Sequence, residues 1–146
     1  MSVSQPSGLK FEDLFVGQFA ESSNVVTEAV VVAFAEVSGD KNPVHLDASY
    51  AAGTPFKERI AHGMLSAAYI SAMIGMHLPG PGAIYVSQTL GFRRPVKLGA
   101  TVTTRVEITA LDAEKARATF ATICSVDGKT VLEGEAVIMV PRREAG

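Results

Sequence analysis

The segment Gly63–His77 constrains the fold of this chain most. Its side chains are almost all apolar or small: Met64, Leu65, Ala67, Ala68, Ile70, Ala72, Met73 and Ile74. A helix that is apolar on every side is expected to be buried on every side. At about 1.5 Å per residue it reaches roughly 20 Å, the width of a small curved sheet. The run Leu78-Pro79-Gly80-Pro81-Gly82 ends it, because proline cannot continue the hydrogen-bond ladder. Everything downstream carries a strand pattern. Ile84, Val86, Leu90 and Phe92 share one parity, and Val102, Val106, Ile108 and Ala110 form another run. Ala118, Phe120, Cys124 and Val126 alternate with polar residues, as do Leu132, Ala136, Ile138 and Val140. Asp127-Gly128 is a hairpin signal between the last two strands. Such half-exposed strands belong to an antiparallel sheet.

Upstream, Gly17 to Val26 reads as a first strand. Thr27 is a candidate N-cap, Glu28 suits the helix dipole, and Val30, Phe34 and Val37 recur at helical spacing until Gly39 stops the helix. Val44 to Ala61 is irregular, with a short helical turn expected around Ala48 to Ala51. The order is strand, helix, loop, buried helix, then four strands. This predicts an α+β chain in which one long antiparallel sheet wraps a central buried helix.

Composition narrows the function classes. With 146 residues, 47% of them apolar, the chain fits one domain with a sizeable core. Residues 11–141 are expected to form it, with flexible tails at 1–10 and 142–146. A net charge of −2 gives no electrostatic case for nucleic acid. No apolar run approaches the ~20 residues that span a bilayer, and the polar start lacks the apolar stretch of a secretion signal. A lone cysteine, Cys124, has no intramolecular partner, which suits a reducing cytoplasm.

The chemistry concentrates in Phe34-Ala35-Glu36-Val37-Ser38-Gly39-Asp40-Lys41-Asn42-Pro43-Val44-His45. A carboxylate and an imidazole stand five residues apart on a loop that opens just after a helix. Such a pair often handles the protons of one water, and loops on a rigid scaffold are where catalytic groups gather. Taken singly, Asp40 reads as a turn residue and His45 as an ordinary satisfied histidine; together they read as an acid–base pair. Asn42, held extended by Pro43, would aim His45 back at Asp40.

This run resembles the signature of the MaoC-like R-specific enoyl-CoA hydratases: an aromatic and a small residue, then Gly-Asp-x-Asn-Pro-aliphatic-His, then Ala or Ser six positions on, here Ala51. The likeness continues in Ile60-Ala61-His62-Gly63-Met64-Leu65, in Leu78 to Tyr85 and in Phe92 to Gly99, and so extends from about Phe11 to Pro141. It is strongest to the short, single-unit type that supplies R-3-hydroxyacyl-CoA for polyhydroxyalkanoate synthesis. The resemblance implies the hotdog fold and reversible hydration of a trans-2-enoyl-CoA, with Asp40 and His45 catalytic. Coenzyme A would be part of the substrate and no separate cofactor is implied. A single unit of this kind is expected to pair with a copy of itself. A dehydratase acting on acyl carrier protein, an acyl-CoA thioesterase and a non-catalytic acyl-CoA binding module remain alternatives on the same fold.

Around the pair, Gly63 opens the apolar helix. Its N–H is expected to bind the thioester oxygen, since a helix N-terminus favours negative charge. His62 reads as structural. Ser71 is either back-bonded to its helix or, as the resemblance implies, lines the site. Asn42, Gly63 and Ser71 are thus the residues expected about the substrate. Ser66 and Tyr69 have weaker claims. Arg93, Arg94 and Lys97 could meet phosphates but read more simply as solvated surface. Three scattered histidines make no zinc pattern, and Cys124, at an apolar strand parity, reads as packing.

Overall fold

A computed structural model describes residues 8–143. It contains a short 3₁₀ turn (Phe11–Asp13), strand β1 (Phe19–Val25), helices α1 (Glu28–Ser38), α2 (Pro43–Leu46), α3 (Ala48–Ala52) and α4 (Gly63–Met76), and strands β2 (Ile84–Gln88), β3 (Gly91–Phe92), β4 (Thr101–Asp112), β5 (Arg117–Val126) and β6 (Lys129–Met139). The strands form one antiparallel sheet in the order β1-β4-β5-β6-β2, with β3 also on β6. Helix α4 lies on its inner face, which is the hotdog arrangement expected from the sequence.

Local chemistry explains most boundaries. Thr27 caps α1 through its side chain on the Val30 N–H, and Gly39 closes the helix at φ 79°, a left-handed position that glycine occupies without cost. Asp127 and Gly128 take φ 51° and 76°, the turn geometry that lets Val126 pair with Lys129. The core is the inner parity of β4 and β5 against α4: Val102, Val106, Ile108, Ala118, Phe120 and Cys124 are fully buried, facing Ile70, Met73 and Ile74. Thr104 and Thr122 share that inner parity; their hydroxyls are partnered by the Cys124 thiol at 3.5 Å and by the Gln88 side-chain amide at 3.0 Å.

Several sequence expectations are corrected. The Ile84–Phe92 strand is broken in two. The chain between β2 and β3 crosses β6 at Gly134, where a Cβ would stand 1.8 Å from the Thr89 carbonyl oxygen. A bulge between Ile108 and Ala110 turns Ala110 outward. In α1 the buried positions are Val31 and Ala35, while Val37 is 83% exposed, so the inward face is rotated by one residue. Pro43–Leu46, expected to be irregular, is a helical turn that starts with proline at N1. Helix α4 buries Leu65, Ser66, Ile70, Met73 and Ile74 but exposes Met64, Ala68, Ser71 and Ala72. One apolar face of it therefore meets nothing in the described chain.

Residues 8–10, assigned to a tail by sequence, are held: the N–H groups of Gly8 and Leu9 donate to the carbonyls of Pro81 and Pro79. Arg142 and Arg143 are held too, on the Glu114 carbonyl and on Glu12. The outer parts of both expected tails lie outside the described residues.

Candidate active site

The loop after α1 is built by short side chains that replace missing backbone partners. Ser38 Oγ accepts from the Asp40 N–H, Asp40 Oδ1 accepts from the Asn42 N–H at 3.2 Å, and Asn42 Oδ1 accepts from the Val44 N–H at 3.2 Å, capping α2. Asn42 thus holds the turn that carries His45, the structural part of its expected role.

His45 is buried, at 8% exposure. Its Nδ1 lies 2.8 Å from the Ile60 carbonyl oxygen, which can only accept, so Nδ1 carries the proton and Nε2 is the free nitrogen. Arg59 donates from Nε to the His45 carbonyl at 2.8 Å and from Nη1 to Glu28 at 2.9 Å, tying α2 to α1. His62, the residue that caps α4, is 3% exposed. Its ring stacks on that of His45, centroids 3.8 Å apart and planes 26° from parallel, and its Nε2 donates to the Asp40 carbonyl at 2.9 Å. Ligand-capable atoms of Asp40, His45 and His62 all lie within 4.8 Å of one another.

The expected pair is therefore brought together, and a third residue, read from sequence as structural, joins it. The only sequence signal for His62 was its place directly before Gly63. The donor set is one a divalent metal could accept. Two stacked rings, however, hold their in-plane lone pairs side by side rather than aimed at one ion.

Gly63 begins α4 immediately beyond this cluster, and no side chain caps that helix end. The N-terminal dipole is left to act on whatever lies there. A cleft of about 380 Å³ opens beside it, lined by Gly63, Ser66, Ile60, Val96, Phe92 and Arg94 among others. A Cβ on Gly63 would stand 2.6 Å from Phe92 Cε1, so only glycine leaves this ring where it is. Phe92 as a wall of the cleft was not evident from sequence, because β3 reaches α4 only through the sheet. Ser71 is not brought to the cluster: it is exposed two turns along α4, on the face with Met64 and Ala68. Ser66, the weaker candidate, is buried and lines the cleft.

The cationic residues are engaged with protein groups. Arg93 pairs with Glu133 at 2.8 Å, Lys97 with Glu58 at 3.4 Å, and Arg94 donates to the Thr130 carbonyl at 2.7 Å. Burial holds the Cys124 thiol above its usual range, against a smaller lowering by Thr104, so it is a packing residue with little thiolate character.

A sheet folded on one helix, with a carboxylate and an imidazole gathered at that helix's N-terminal end, defines a hotdog protein. The description "MaoC like domain" matches residues 17–132, and the chain belongs to that family. It is 53% identical over 133 residues to an (R)-specific enoyl-CoA hydratase of Rhodospirillum rubrum, covering 91% of this chain and 92% of that one. It is 50% identical over 136 residues to a 3-hydroxybutyryl-CoA dehydratase of Methylorubrum extorquens, covering 93% and 87%. Among solved structures, the unliganded R-hydratase PhaJ1 from Pseudomonas aeruginosa superposes with a TM-score of 0.88 at 50% identity, covering 95% and 92%.

Proposed function

We propose that this protein adds water reversibly to a trans-2-enoyl-CoA and forms the R-3-hydroxyacyl-CoA, a hydro-lyase reaction that needs no separate cofactor. The observation that carries the reading is the meeting of Asp40, His45 and the open end of α4 beside an apolar cleft, in a chain half identical to enzymes of that name. His45 Nε2, in the neutral ring, and the Asp40 carboxylate both accept hydrogen bonds. A water between them would commit both hydrogens and turn an oxygen lone pair toward C3 of the enoyl group. As the C3–O bond forms, one water proton passes to the pair and the other stays on the new hydroxyl. A proton is returned to C2 on the same face, and the negative charge that gathers meanwhile on the thioester oxygen would be held by the Gly63 N–H and the dipole of α4. The acyl chain would lie in the cleft by Phe92 and Val96.

The same reading includes a homodimer and a cytoplasmic location. The uncovered apolar face of α4 and the exposed Ile84, Tyr85 and Val86 of edge strand β2 support the first. The single Cys124 is compatible with the second. No helix among the described residues is long and apolar enough to cross a membrane. The test of the reaction is stereochemical. Crotonyl-CoA incubated with the protein should give 3-hydroxybutyryl-CoA that is R by chiral chromatography; an S product would overturn the proposal.

A further inference from the structure

One four-residue segment grips the proposed dyad from behind. Arg59 Nε holds the His45 carbonyl, the Ile60 N–H meets the Val44 carbonyl at 3.3 Å, the Ile60 carbonyl takes the His45 Nδ1 proton, and His62 Nε2 donates to the Asp40 carbonyl at 2.9 Å. The same segment then leads into the first turn of α4, with His62 at the N-cap position. Of its members, His62 alone touches both halves of the pair: its ring lies on His45 and its N–H is on Asp40. Phe34, tilted with its centroid 4.9 Å away, packs against the same ring.

A purely packing role would not require this residue. His62 is 3% exposed, and its Nδ1 is buried with no hydrogen-bond partner. Burying an unpartnered polar nitrogen costs about 1–3 kcal/mol, which a phenylalanine or leucine in the same place would avoid. What the imidazole supplies and those residues cannot is the single donor on the Asp40 carbonyl. Asp40 itself is exposed; Ser38 Oγ takes its N–H and its Oδ1 takes the Asn42 N–H, both within the same loop, and the bond from His62 is the tie from its carbonyl to the start of α4.

We propose that His62 is a positioning residue: its Nε2–H pins the Asp40 main chain, so that the carboxylate stays set against His45 Nε2 and the end of α4. This rests on the hydratase reading above. It requires a proton on Nε2. A carboxylate displaced by ~1 Å loses up to roughly 100-fold in turnover, so the effect falls on kcat.

Two measurements test this. In the wild-type protein, ¹⁵N NMR of the imidazoles should show His62 as the Nε2–H tautomer; the Nδ1–H tautomer would overturn the assignment whether or not any variant folds. In kinetics on crotonyl-CoA, His62→Phe keeps an aromatic ring on His45 but loses the donor, whereas His62→Gln can restore an N–H near the Nε2 position. His62→Phe should lower kcat by about 10- to 100-fold with KM nearly unchanged and the melting temperature not lowered, and His62→Gln should recover most of that loss. In an Asp40→Asn background His62→Phe should cost little more, since it acts through Asp40. Wild-type kcat in His62→Phe, a His62→Gln no better than His62→Phe, or full additivity with Asp40→Asn would overturn the proposal. A wild type inert toward crotonyl-CoA would instead count against the hydratase reading, and the tautomer would then decide the His62 bond alone.

Discussion

Asp40 and His45 meet because three successive turns are each closed by a side chain: Ser38 on Asp40, Asp40 on Asn42, Asn42 on Val44. Those bonds use the Asp40 and Asn42 side chains locally and leave the core untouched. Asp40→Asn should therefore lower turnover by about 10²–10⁴-fold while the far-UV spectrum and melting curve stay close to wild type; His45→Gln should lose as much turnover and also some stability, because it removes the buried bond from Nδ1 to the Ile60 carbonyl; near-native turnover in either would remove that residue from the mechanism. Gly63 makes a different prediction. Its φ is not in the left-handed region, so alanine fits the backbone, but the new methyl would press on the half-exposed Phe92 ring at the cleft wall. Gly63→Ala should fold with a stability change within about 0.5 kcal/mol, typical of a surface position, and lose turnover by much more than that energy implies. Parallel melts and steady-state assays compare the two. The dyad could be read from sequence because it is local, two residues five positions apart in a run marked by Gly39 and Pro43. His62 and Phe92 could not, since one reaches Asp40 across 22 residues of chain and the other reaches Gly63 from a different layer.

At the scale of elements, residues that punctuate the chain marked the boundaries well: Thr27 and Gly39 for α1, Asp127-Gly128 for the β5–β6 turn. Periodicity served less well where tertiary contact overrides it. The β2–β3 break is set by the close crossing at Gly134, and the parity change at Ala110 by a bulge, neither of which leaves a local signature. The first turn was also not read from sequence. Phe11–Asp13 is tied down by two carboxylates: Glu12 accepts from the Arg143 N–H and Asp13 from the Lys10 N–H. These bonds are the main causes holding both carboxyls below their ordinary values of 4.5 and 3.8. A depressed folded pKa gives stability that is present above the unfolded pKa and lost as pH falls through the folded one. Melting temperature should thus begin to fall as pH drops below about 4.5, and Glu12→Gln should remove part of that slope. Glu12 is exposed and Asp13 partly so, which keeps the effect small, and a slope unchanged in Glu12→Gln would show that the terminal tie contributes nothing.

For the whole molecule, the expected all-round burial of α4 fails in one chain, since Met64, Ala68, Ser71 and Ala72 stand exposed in a row while β2 leaves an open edge. Open edges are normally paired or covered, and two-fold dimers are the commonest closed assembly. Light scattering should give twice the mass of a 15.4 kDa chain at assay concentration; a stable, active monomer would leave that face unexplained. Ser71 tests the same point, because a polar substitution beside it, such as Ala68→Asp, should weaken the dimer if a partner covers the face. The central claim is water addition at the Asp40–His45 cluster, with hydrolysis of the thioester as its rival on this fold. The direct measurement follows purified protein with crotonyl-CoA, reading the enoyl-thioester absorbance and free thiol in one reaction. The absorbance should fall, no thiol should appear, and Asp40→Asn should abolish the fall. Thiol released in step with the absorbance change would contradict water addition.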